Sequence, residues 1–336
     1  MSGPAPFARI AGAGFAVPEG RRGDDDPVYQ RVHSEGGERE AALFTGAGQR
    51  AVLGATERIE TLMVEASVDA LARATVNAEE IDRLYGYASV PAYVAPNPLY
   101  AVHGHLGLGP STLVVPINSE FSNFVLGLVH AAEGVRSGSS THALVVTGSN
   151  WTRHLDFTRG HAHAAGDGAG AAVVGQQGPF EVVDFATSTH SDAFESMTMG
   201  IRPRTAPGWV GIPVDANATP IPTYRLDPEQ GTLVYETIMW SGLPRLVNDL
   251  LAKHGLDADD ISLITHQGSQ KLLDHWNEEI KPARYLETYQ EYGNMTNATY
   301  PVNLARYFDE IDTSYVVIAA VGVGFHLTAL LLKNRS

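Results

Sequence analysis

The residues best suited to chemistry fall in four short stretches. The first is Asn118-Ser119-Glu120-Phe121-Ser122-Asn123, just ahead of an apolar run that predicts a helix over Phe124–Arg136. Ser119 and Ser122 carry hydroxyls that become nucleophiles only with a base in hydrogen-bond reach, and Ser is also a preferred helix N-cap. Glu120 at a helix start is stabilised as a carboxylate by the helix dipole and suited to act as a base, or it turns away into an interface ion pair. The second stretch holds His154, His161 and His163. His-x-His on a strand puts two imidazoles on one face, as a metal site would need, but no further ligand follows at a convincing spacing and no metal is expected. The third is Thr265-His266-Gln267-Gly268-Ser269 and the fourth Tyr292-Gly293-Asn294. Taken singly, His266 reads as a core imidazole and Asn294 as a turn residue after glycine. The chain has no cysteine, which excludes disulfides, thiolate zinc sites and cysteine catalysis together.

These stretches need elements to position them. Short β-branched or apolar runs bounded by Gly, Asp or Ser predict strands at Ala8–Ala16, Arg83–Ser89, Thr112–Ile117, His142–Thr147 and Gly170–Gly175. A second set is predicted at Phe180–Ala186, Ile261–Thr265, Ser314–Ala320 and Leu327–Leu332. Between them, Thr61–Ala74 sets Leu62, Ala66, Val68, Leu71 and Ala72 near one helical face. Phe124–Arg136 and Leu233–His254 are more apolar, which predicts helices sandwiched between layers. Strands alternate with helices on both sides of a break at Gln176–Pro179, so the pattern predicts a layered α/β fold in two similar halves, 1–175 and 176–336. Gly200–Gln230 is rich in Pro and Thr, shows no period, and reads as a long loop that covers a site or runs over the surface.

With 336 residues, 44% hydrophobic and 18% charged, the chain has enough material for a sizeable core and is not of disordered composition. Its net charge of −15 disfavours nucleic acid and anionic membranes as partners. No run of apolar residues is long enough for a membrane-spanning helix. Met1 to Gly14 lacks a charged region followed by an apolar core, so a cytoplasmic protein is expected.

Three segments, in this order and at these separations, resemble the β-ketoacyl-ACP synthase III family. They are Val145–Val174 with Gly166-Asp167-Gly168-Ala169-Gly170-Ala171-Ala172, then Thr265–Ser269, then Tyr292-Gly293-Asn294 followed by Pro301 and Gly322-Val323-Gly324-Phe325. Ile10–Pro18 and Thr45-Gly46 extend the resemblance to the N-terminal region, so it covers nearly the whole chain. It implies an α/β protein with the five-layered αβαβα thiolase fold, built from two duplicated halves and normally a homodimer. It also implies substrates carried as pantetheine thioesters of CoA or an acyl carrier protein, with no other cofactor. In the family a cysteine begins a buried helix and takes the acyl group, a histidine and an asparagine polarise the second thioester carbonyl, and two backbone N–H groups form an oxyanion hole.

Residue by residue, the resemblance puts Phe121 at the nucleophile position, with Phe124 matching the family's aromatic three residues later. A slip of one residue would put Glu120 or Ser122 there instead. A phenyl ring cannot attack a carbonyl, so covalent capture at Phe121 is closed. His266 and Asn294 match the family pair, and their N–H groups would stabilise an enolate or oxyanion. The amides of Phe121 and Val323 match the oxyanion hole, where valine in place of glycine requires a negative φ. The loop of His161 and His163 lies near the pantetheine tunnel in relatives, which implies substrate contacts. Arg159 resembles an arginine that holds the CoA nucleotide, and Lys271 a basic residue at the tunnel mouth that meets the carrier. The family's adenine-stacking tryptophan and its neighbouring arginine would fall near Glu40 and Phe44, so neither is kept. Three function classes follow: an acyltransferase, condensing or cyclising enzyme of specialised metabolism that works without an acyl-cysteine; a non-catalytic partner subunit of an active homologue; and a synthase with Ser119 or Ser122 as nucleophile.

Overall fold

The computed structural model describes residues 7–29, 42–93, 95–200, 221–227 and 229–336. Glu40 and most of the Gly200–Gln230 loop lie outside them. The strands are β1 (Arg9–Ala16), β2 (Arg21–Gly23), β3 (Gln49–Ala51), β4 (Arg83–Ala88), β5 (Leu113–Pro116), β6 (Ala143–Ser149) and β7 (Gly168–Gly175), then β8 (Phe180–Thr189), β9 (Met197–Gly200), β10 (Thr223–Leu226), β11 (Ile261–Thr265), β12 (Arg284–Tyr285), β13 (Tyr315–Gly322) and β14 (His326–Asn334). The helices are α1 (Ile59–Ala74), α2 (Leu99–Leu106), α3 (Asn123–Arg136), α4 (Gln230–Val234), α5 (Leu243–His254), α6 (Gln270–Ile280), α7 (Tyr289–Tyr292) and α8 (Thr299–Arg306).

Ten strands form one sheet in the order β12-β11-β13-β14-β8-β1-β7-β6-β4-β5. It divides between β8 and β1, which share only the pairs Arg9↔Glu181 and Ile10↔Phe180. On each side the same plan repeats. β4 runs parallel to β5 and β6, while β7 is antiparallel to β6 and β1. β11 runs parallel to β12 and β13, while β14 is antiparallel to β13 and β8. This is the duplication expected from the alternating pattern. β6 and β7 are buried along their whole length, which is why they read as continuous apolar or small-residue runs rather than alternating ones.

Helices supply three further layers. α1 packs on β1, β7 and β6, while α5 packs on β14, β13 and β8 from the opposite outside face. α3 and α8 lie between the sheet halves: α3 contacts β6, β4, β14 and β8, and α8 contacts β7, β1 and β11. The layering is therefore αβαβα. One expectation is corrected here. Leu233–His254 is not a single sandwiched helix but α4, a π-helical turn at Tyr235–Gly242, and α5, which turns Arg245, Asp249 and Lys253 to solvent. The four-residue spacing of those charges is what keeps that face in water. The central place belongs to α8, buried at every position except Arg306. Its Pro301 sits in the first turn, where a missing N–H costs no helical hydrogen bond.

Candidate active site

The start of α3 is strained. Phe121 has φ of +74°, a conformation that a bulky residue adopts only when its surroundings impose it, and its side chain is buried. The ring stacks on the His266 imidazole, with centroids 5.3 Å apart and planes 14° off parallel, and leans on Trp151 at 4.9 Å. Ser122 stands at the helix N-cap, but its side chain makes no capping bond and its buried Oγ has no hydrogen-bond partner. The capping expectation is therefore wrong for Ser122, whose φ of −99° and ψ of 2° are not the extended conformation that brings a cap oxygen to the first amides of the helix. Ser119 Oγ lies 3.1 Å from His326 Nε2 and pairs with that imidazole rather than with His266.

Glu120 keeps part of its surface, yet burial of the carboxyl group pushes its pKa up, opposed by hydrogen bonds from Ser89 Oγ and from Trp151 Nε1 at 3.4 Å. Both of these partners within the chain are neutral. Its backbone carbonyl accepts from Val323 N–H at 2.9 Å. Val323 meets the conformational condition, since its φ is not positive. The amide is nevertheless spent on Glu120, and so it is not a free oxyanion donor as expected.

His266 is placed by the end of β11 and by Ser269, whose Oγ accepts from Leu272 N–H at 3.3 Å and starts α6. Burial lowers its imidazole pKa to about 4, so the ring is neutral at pH 7. Tyr300 Oη makes a long 3.5 Å contact with Nδ1, while the Nε2 edge lies beside Gly268 in the cavity wall. A hydroxyl given to Nδ1 leaves Nε2 as the protonated, donating nitrogen. Asn294 is held by a three-point clasp. Its N–H donates to the Ala164 carbonyl at 2.7 Å, its carbonyl accepts from Gly166 N–H at 2.9 Å, and its Oδ1 accepts from Thr296 N–H at 2.9 Å. The last bond turns the carboxamide oxygen inward on the turn and leaves the NH2 end as the donor for a ligand.

His266, Asn294 and Phe121 all line one cavity with about 540 Å³ of empty space, open mouth included. His161 also lines it, edge-on to Tyr224 at 4.8 Å. His163 does not. Gly160–His163 is a 3-10 turn rather than a strand, so the two rings diverge, and His163 Nδ1 meets the buried Arg50 guanidinium at 2.9 Å. Its substrate-contact expectation is thereby corrected. Nor do His154, bonded at Nδ1 to the Pro222 carbonyl, and these two form a cluster; among the described residues no three His, Cys, Asp or Glu groups gather as metal ligands. Arg159 precedes the 3-10 turn and adds positive potential at Arg225. Lys271 lies on α6 with Nζ 5.6 Å over the Trp240 ring, away from the cavity lining. Sequence reasoning missed Phe44, Trp151, Tyr224 and Tyr235 as cavity walls. They come from four separate segments, and no spacing along the chain links them.

Residues 116–192 match the family described as 3-oxoacyl-[acyl-carrier-protein (ACP)] synthase III, and residues 251–334 match its C-terminal region. The chain is 28% identical over 309 residues to the beta-ketoacyl-[acyl-carrier-protein] synthase III of Synechocystis sp., spanning 86% of this chain and 87% of that protein. Its backbone is similar to that of 3-oxoacyl-(acyl carrier protein) synthase III from Pseudomonas aeruginosa, with a TM-score of 0.80 at 21% identity over 98% of this chain and 99% of the other. It is similar too to the priming β-ketosynthase of a polyketide biosynthetic pathway, with a TM-score of 0.81 at 22% identity over 100% and 99% of the two chains. At those identities the structural likenesses bear on the fold.

Proposed function

Because this chain is a ketoacyl synthase III-like member of the thiolase superfamily, we propose that it acts on acyl thioesters, and that it does so without an acyl-cysteine. The observation that carries this reading is the presence of His266 and Asn294 on the wall of one cavity, beside the Phe121 ring, in a chain without cysteine. His266 Nε2–H and the Asn294 NH2 group donate to the thioester carbonyl oxygen as negative charge develops on it. A hydroxyl, amine or carbon acceptor held in the cavity attacks the carbonyl carbon directly, the C–S bond breaks with its electron pair going to sulfur, and the acceptor's proton passes to that sulfur, so that pantetheine leaves as the thiol. Acyl transfer, condensation and cyclisation all follow this course. Glu120, whose pKa burial raises, and Ser122, with its unpaired hydroxyl, stand at the start of α3 outside the described cavity lining, so the step is not routed through either.

The acyl group arrives on CoA or on an acyl carrier protein, with Arg159 and Lys271 as the cations toward its phosphate, and His161 and Phe121 against the acyl portion. The reading extends to a role in specialised metabolism, such as polyketide or antibiotic assembly in the cytoplasm, where an acyl transfer without an acyl-cysteine would be used. Two copies of this chain form the working unit. His266→Ala should lower thiol release from an acyl-CoA or acyl carrier thioester by about 10²-fold, the usual loss for one oxyanion donor; a rate equal to wild type removes the reading. A second reading has its own support. The Val323 amide is spent on Glu120 and the Phe121 ring lies over His266, as a non-catalytic partner of an active homologue would tolerate. Co-purification with such a homologue, and no thiol release by the chain alone, are its outcomes.

A further inference from the structure

The cavity wall is a continuous belt of rings. Phe121 meets Trp151 at 4.9 Å, Trp151 meets Tyr224 at 4.6 Å, Tyr224 meets His161 at 4.8 Å, His161 meets Phe44 at 6.3 Å, and Phe44 meets Tyr235 at 5.4 Å. All six are buried and all line the cavity. Successive planes are tilted by 58° to 84°, so the rings meet one another edge to face rather than in parallel stacks, and they do not all lie in one plane around the wall. Two of the polar handles are tied outside the cavity. Tyr235 Oη bonds to the Leu43 carbonyl at 2.9 Å and Ser269 Oγ at 2.6 Å, and Trp151 Nε1 points to Glu120. Leu155, Met197 and Met239 complete an apolar surround, with no Lys, Arg, Asp or Glu among the described lining residues.

We infer that this cavity selects a planar, uncharged aryl group on its acyl thioester in preference to an alkyl chain of the same carbon count. The inference rests on the thioester reading above and names the substrate class for that site. A flat ring offers a positive edge to the belt's faces and a negative face to its edges, an interaction that a saturated chain lacks. Burying a charged acyl group there would cost its hydration with no counter-ion among the described lining residues. The donors at His266 and Asn294 then meet the carbonyl at the aryl group's root.

The test compares two hydrolysis-resistant ketone analogues of pantetheine thioesters, benzoyl and heptanoyl, each with a seven-carbon acyl group. Binding to the full chain is measured by calorimetry. The benzoyl analogue should bind about tenfold more tightly, a modest sum of aromatic contacts. Tyr224→Leu should bring the ratio to about one, with circular dichroism and Tm reporting that the variant is folded. Equal or tighter binding of the heptanoyl analogue to wild type overturns the inference, and so does binding of neither. The benzoyl preference together with no thiol release from benzoyl-CoA leaves this selectivity standing and removes the transfer reading. Thiol release that favours heptanoyl-CoA does the reverse.

Discussion

At the scale of single residues, Phe121 joins a strained backbone to a side chain that cannot act as a nucleophile. Its φ of +74° at the head of α3 is a strained state for a bulky residue. The side chain at that position is aimed at His266. Phe121→Cys should therefore gain covalent capture in one step: intact mass after incubation with acyl-CoA should rise by one acyl group, while wild type remains unmodified. Loss of the buried ring should cost about 3 kcal/mol of stability, so the measurement belongs well below Tm. An unmodified Phe121→Cys variant that is folded would remove Phe121 from the nucleophile position. His266 carries a second consequence. Its imidazole titrates near 6.5 in the unfolded chain and at about 4 in the fold, so between those values the unfolded state binds a proton that the native state refuses. Stability linked to neutral His266 is complete above about pH 6.5 and is lost as pH falls toward 4. Unfolding free energy should drop between pH 7 and pH 4.5 by about 2 kcal/mol more in wild type than in His266→Gln, as urea titrations at the two pH values would read. Equal drops would mean that the ring is solvated.

At the scale of elements, the site depends on turns that clasp one another across the two halves. Gly166, just before β7, donates to the Asn294 carbonyl, and a Cβ there would collide with the Tyr292 carbonyl. Gly166→Ala should push the Tyr292–Asn294 turn away, lowering Tm by several degrees and thiol release by at least tenfold, since donors displaced by about 1 Å lose most of their effect. The same variant with full activity would show that Asn294 is not a working donor. Elements of this kind differ in how far the sequence reveals them. β6 and β7 were legible because a buried strand must be apolar or small at every position, and α3 because its apolar run ends at Arg136-Ser137-Gly138. The π-helical turn at Tyr235–Gly242 was not: an extra residue per turn leaves composition and helical propensity unchanged, yet it sets Tyr235 and Met239 on the cavity wall. His266 and Asn294 stood out only through their flanking motifs. The aromatic belt could not be read at all, because Phe44, Trp151 and Tyr224 meet through packing between segments far apart in the chain.

At the scale of the whole molecule, the sheet ends on β5, which pairs with β4 on one side and with no described strand on the other. Leu113 on this strand is 51% exposed. An open edge carrying an apolar side chain invites pairing with another strand, and natural proteins either blunt such an edge or cover it. Two copies related by a two-fold axis would each present the same edge, giving a self-complementary contact that extends the sheet across both chains. Leu113→Asp places two carboxylates near that axis, between chains that already carry −15 each, and aspartate is a poor strand residue. Light scattering coupled to size exclusion should therefore show a dimer for wild type and a monomer for Leu113→Asp, with unchanged circular dichroism. A monomeric wild type would refute the homodimer. A wild-type chain that dimerises only when an active homologue is co-expressed would instead move β5 to a mixed interface, and would make the partner-subunit reading the one that explains Phe121.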